Sequence, residues 1–117
     1  MKHNYDGRLF RTISNTEGGE TGAETVFHYR QEGDFVWATY RGGEVAFGTL
    51  LAKADDEGRL DMRYQQLNRG GEWRAGRCLS VPEVLEDGRY RLRETWQWLT
   101  GDGSSGESVV EEFRADV

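Results

Sequence analysis

Of these 117 residues, one is cysteine, one is proline and two are histidine. A lone Cys78 excludes an internal disulfide framework and suits a reducing cytosol. With His3, His28 and Cys78 as the whole stock of soft donors, there is no C-x-x-C pair and no H-E-x-x-H, so no metal site and no cofactor is expected. Asp55-Asp56-Glu57-Gly58 is acidic but lacks the spacing of a calcium loop and reads as a hairpin turn. Basic residues are outnumbered: 15 Lys and Arg against 21 Asp and Glu leave a net charge of −6. That balance is poor for neutralising phosphates, so nucleic acid is not an expected partner. No apolar run has the length of a membrane span. Met1-Lys2-His3-Asn4-Tyr5-Asp6 carries no apolar segment of the signal-peptide kind. The expectation is a cytoplasmic protein of one domain, residues 1–117, with no membrane partner.

Glycine and aromatic residues are abundant instead: 16 Gly, with four Trp, five Tyr and five Phe. Gly-containing turn signals divide the chain into segments at residues 8–16, 25–31, 35–41, 44–54, 59–68, 73–81, 90–99 and 107–113. This spacing is that of an antiparallel meander. Segment 59–68 alternates with period two, with Leu60, Met62, Tyr64 and Gln66 on one face. In segment 90–99, Tyr90, Leu92, Glu94, Trp96 and Trp98 likewise share a face. Segment 44–54 is apolar on both faces, which leaves its inward side open, and 107–113 fits a strand or a helix face equally. Little chain is left over for a covering helix layer, so the sheet must hide one face by curling on itself. The fold expected is all-β, an eight-stranded up-and-down antiparallel barrel, with a β-sandwich as the alternative.

A two-residue turn at Gly70-Gly71 pairs Leu60 with Val81, Met62 with Leu79, Tyr64 with Arg77 and Gln66 with Ala75. A next hairpin centred between Leu85 and Glu86 pairs Arg77 with Glu94 and Ala75 with Trp96; centring it on Asp87-Gly88 slides the rungs but keeps the facing. On this register Tyr64, Arg77 and Glu94 form a polar row on an apolar inner face, flanked by Met62, Trp96 and Trp98. The plain reading is a structural ion pair. A second is a ligand site in which Arg77 reads an anionic or carbonyl group. A third makes Glu94 a general base, weakened because a neighbouring Arg holds its pKa low.

Gly101-Asp102-Gly103-Ser104-Ser105-Gly106 matches G-x-G-x-x-G by letter, but too little chain follows for the helix and second strand of a dinucleotide fold. It reads as a hairpin loop.

Three stretches carry a resemblance: Phe10-Arg11-Thr12-Ile13-Ser14-Asn15-Thr16 leading to Glu24-Thr25-Val26-Phe27-His28-Tyr29, then Asp61-Met62-Arg63-Tyr64-Gln65-Gln66-Leu67-Asn68, then Glu94-Thr95-Trp96-Gln97-Trp98. They resemble a family of small bacterial proteins of similar length, some of which bear the label N-acetylglutamate synthase. The resemblance implies a calycin-like barrel, alongside lipocalins, fatty-acid-binding proteins and avidins, and brings no functional residues with it. The enzyme label finds no support in the residues. An acetyl-CoA loop of the form Q/R-x-x-G-x-G/A is nearest to Arg30-Gln31-Glu32-Gly33-Asp34-Phe35, where Phe replaces the final small residue and a strand pattern follows. The function expected is binding of a small molecule in the lumen, with Met62, Tyr64, Arg77, Glu94, Trp96 and Trp98 as its lining. A non-catalytic homodimer formed through the second face of segment 44–54, at Leu50 and Ala52, is the alternative.

Overall fold

The structure, a computed structural model, describes residues 3–114; the leader reading at Met1 and Lys2 lies in part outside them. Eight strands follow one another: β1 (Leu9–Asn15), β2 (Val26–Glu32), β3 (Phe35–Gly42), β4 (Val45–Ala54), β5 (Leu60–Asn68), β6 (Trp73–Val84), β7 (Tyr90–Trp98) and β8 (Ser105–Phe113). Each pairs antiparallel with the next, and β8 returns to β1, which closes the barrel. Closure leaves no open sheet edge and turns one face of every strand into a shared core. Among the described residues no helix is long and apolar enough to cross a membrane.

Alternation decides the ambiguous segments. In β4, Leu50, Ala52 and Ala54 point inward, while Phe47 and Leu51 are exposed outside. Leu50 and Ala52 therefore belong to the core and not to an outer patch. The last segment is a strand, with Ser108, Val110 and Glu112 inward and Val109 turned away.

The facing of β6 differs from expectation. Gly76, Cys78 and Ser80 point into the lumen, whereas Arg77 is exposed, Leu79 is 50% exposed and Val81 40% exposed. The cause is turn length. Asn68 and Glu72 are bonded across a three-residue loop, and Leu85 and Arg89 likewise, each loop ending in a left-handed glycine, Gly71 (φ 82°) and Gly88 (φ 88°). Such loops are a type I turn closed by a bulge glycine. One residue more than a two-residue turn inverts every side chain of the strand that follows. Because the extra residue occurs on both sides of β6, the two inversions cancel, and only β6 is reversed. The true partners are Tyr64 with Gly76 and Ser80 with Glu94.

Both ends of the barrel are stopped. Below, the segment before β1 crosses the opening. The Tyr5 hydroxyl donates to the Gly58 carbonyl at 2.6 Å and its amide to Gln31 Oε1 at 2.8 Å, with the side chain fully buried. Arg8 lies over the Tyr90 ring at 3.8 Å and pairs with the buried Glu112 at 2.7 Å. Above, the long β1–β2 loop, residues 16–25, folds across the rim.

Candidate functional site

Three glycines shape the upper lumen. Gly48, Gly76 and Gly106 stand directly opposite Tyr40, Tyr64 and Trp96 on the neighbouring strands. A Cβ at any of them would collide with the ring of its partner. Each aromatic side chain lies across the bare backbone of its neighbour, which a larger residue would prevent. Trp98 meets the Tyr64 ring edge-on at 5.6 Å and the tilted Trp96 ring at 5.7 Å.

Between these rings runs a row of polar groups across β6, β7 and β8: Ser80, Glu94 and Ser108. The Ser108 hydroxyl donates to Glu94 Oε1 at 3.2 Å. Ser80 lies beside the same carboxylate and favours its charge, yet its buried hydroxyl completes no hydrogen bond of good geometry. Glu94 forms no ion pair among the described residues. Glu94 is half-buried, and desolvation, only partly offset by the two serines, pushes its pKa from 4.5 up to about 7. The low pKa expected from an adjacent Arg77 is thus reversed. Arg77 projects from the outer wall, where it donates to Gln97 Oε1 at 2.9 and 3.2 Å.

Glu94 borders a cavity of about 50 Å³ under the β1–β2 loop, lined also by Met62, Tyr64, Trp96 and Trp98. At roughly 10–15 Å³ for each water-sized occupant, that is space for about three to five such occupants. Five of the six residues expected to line a site, all except Arg77, thus border one cavity. Ser80 and Cys78 were hidden by the reversed face of β6. Asn15 was hidden by a bulge between Thr12 and Ser14, which returns it to the lumen where strict alternation aims Ser14 inward.

The loop above is latched by polar contacts. Glu20 accepts from Gln66 Nε2 at 2.7 Å and Asn68 Nδ2 at 2.8 Å, and pairs with Arg74 at 3.3 Å. Arg74 in turn stacks over Trp98 at 4.0 Å. Trp96 Nε1 donates to Asn15 Oδ1 at 3.0 Å and Trp98 Nε1 to the Gly18 carbonyl at 3.1 Å, so both indoles are tied to the lid and its hinge.

This closed meander with an internal, lidded cavity agrees with a family model described as "Avidin-like protein", which matches residues 3–113. The chain belongs to the avidin-like family. No curated protein and no solved structure matches it. An avidin-like barrel is a calycin-type fold suited to binding small molecules. Its lining keeps the phenols and the thiol neutral: burial pushes the Tyr29, Tyr40 and Tyr64 hydroxyls and the Cys78 thiol well up, with Glu94 adding to each. A thiol so raised is a poor nucleophile.

Proposed function

We propose that this avidin-like barrel binds a small molecule in its upper lumen, under the β1–β2 loop, with Met62, Tyr64, Glu94, Trp96 and Trp98 as contacts. The observation that carries the reading is the lidded cavity holding an unpaired carboxylate among aromatic rings. Polar groups buried without partners cost stability, and proteins keep them where a ligand uses them. A cavity of about 50 Å³ takes an occupant of a few heavy atoms, and a larger one would enter only as the Glu20 latch opens.

The test is a panel of small metabolites followed by tryptophan emission and thermal shift, on the parent chain and on Ser108→Val. That substitution adds one methyl group to the lining and removes the hydroxyl that bonds Glu94. Saturable binding to the parent chain that Ser108→Val weakens at least tenfold, with folding intact, supports the reading. Binding that ignores the altered cavity refutes it.

Self-association is a second reading, supported by different residues from those first expected. Phe35 (66% exposed) and Leu51 (70% exposed) flank Trp37 on the outer wall, Leu51 directly opposite it. Light scattering on the parent chain and on Leu51→Lys tests it, and a monomer at all concentrations removes it.

A further inference from the structure

We infer that the cavity selects a small organic cation bearing N–H donors, of the amidinium, guanidinium or alkylammonium class, received by the Glu94 carboxylate. The inference rests on the lumen being a binding site and goes further by fixing the charge of the occupant.

Charge balance is the first argument. No Lys, Arg or His lines the cavity. Arginines at the two ends of the barrel are already committed, Arg74 to Glu20 at the rim and Arg8 to Glu112 at the opposite end. A carboxylate taken from water without a counter-ion is strongly penalised, and a ligand cation restores the balance that the chain itself omits. Hydrogen-bond capacity is the second. An ionised carboxylate accepts about four hydrogen bonds, and Ser108 supplies the one of good geometry. The Ser80 hydroxyl beside it completes no hydrogen bond of good geometry and has capacity left for a ligand. The third is the wall. Tyr29, Tyr40, Tyr64, Trp96 and Trp98 border the space, and aromatic rings attract a desolvated cation. An anion would meet Glu94 unfavourably, with no donor of positive charge to offset it.

The other titratable groups around the cavity are Tyr29, Tyr40, Tyr64 and Cys78, all raised by burial, and Glu20, which is paired with Arg74. Glu94 is therefore the group whose ionisation governs cation binding near neutral pH. Affinity falls about tenfold for each pH unit below its pKa of about 7.

Acetamidinium, acetamide and acetate have the same heavy-atom shape and charges of +1, 0 and −1. The ceiling for so small a ligand is a dissociation constant of about 40 µM, so titrations run into the tens of millimolar at fixed ionic strength. Tryptophan emission of the parent chain, Glu94→Gln and Glu20→Ala is followed at pH 5.5 and 8.5. Expected at pH 8.5 is saturable binding of acetamidinium at least tenfold tighter than acetamide, with acetate silent. That preference should vanish in Glu94→Gln and weaken at least tenfold at pH 5.5. Equal or tighter binding of acetamide or acetate overturns the cation and leaves the cavity as a binding site. A cation preference that survives Glu94→Gln overturns the role of Glu94. Silence of all three probes, in the parent chain and in Glu20→Ala alike, overturns both the cation and the site.

Discussion

Replacing Glu94 by Gln should stabilise the protein, increasingly as pH rises from about 4.5 to 7 and fully above that. Burial raises the Glu94 pKa from 4.5 to about 7. The folded chain therefore holds this proton to a higher pH than the unfolded chain does. Between those two values the native state binds more protons, so stability declines as pH rises, and the loss is complete above about pH 7. At about 1.4 kcal/mol per pK unit, the ionised carboxylate costs about 3 kcal/mol. Water entering the cavity and the Ser108 hydrogen bond reduce what Gln recovers, leaving a gain of about 2 kcal/mol at pH 8.5 and about zero at pH 4.5. Urea unfolding followed by tryptophan emission reads this directly. With a slope of roughly 1–2 kcal/mol/M, the midpoint of Glu94→Gln should lie about 1–2 M above the parent at pH 8.5 and coincide with it at pH 4.5. Other carboxylates titrate in both chains and cancel in the comparison. The exposed Asp6, Asp55, Asp87 and Asp102, whose pKa values are lowered by hydrogen bonds, act at lower pH with the opposite sign. Parallel pH profiles for the two chains, or a loss of stability in Glu94→Gln at pH 8.5, would refute the reasoning.

Glu20→Ala should unlatch the β1–β2 loop, seen as faster hydrogen exchange at residues 16–25 with the strands unchanged, because three side-chain contacts converge on that carboxylate. Gly76→Val should destabilise by about 1–3 kcal/mol in urea unfolding, since its side chain would occupy the space of the Tyr64 ring. Gly71→Ala should cost about 1 kcal/mol by the same measure, because φ is 82° there and open space leaves only backbone strain to act. Arg77→Ala should shift stability by less than about 0.5 kcal/mol and leave any lumenal binding unchanged, its side chain being outside.

Period two was enough to place Met62, Tyr64, Glu94, Trp96 and Trp98 on one side of their strands, because both runs alternate without interruption. Closure followed from the shortage of chain for any other cover. What alternation could not supply was parity between neighbouring strands. Gly70-Gly71 invites a two-residue turn, yet the loop takes Arg69 as well, and a change of one residue decides which face of β6 is wet. Arg77, Leu79 and Val81 made a plausible inner row because Cys78 and Ser80 are small and Gly76 is bare. The glycine and serine on that face are small because Tyr64 and Glu94 need the room, a relation between strands that no single segment displays. Asn15 was concealed for a related reason, since a bulge leaves no mark in the residues it displaces.

The stopper at the lower end has a kinetic consequence. With Tyr5 filling that mouth and bonded to Gly58, a ligand in the lumen as proposed would come and go past the β1–β2 loop. Arrival and departure of an occupant then slow together when the doorway tightens, so residence time changes while equilibrium occupancy stays nearly constant. A ligand held there as proposed would leave on dilution at a rate set by the opening of residues 16–25 as well as by its contacts with the walls.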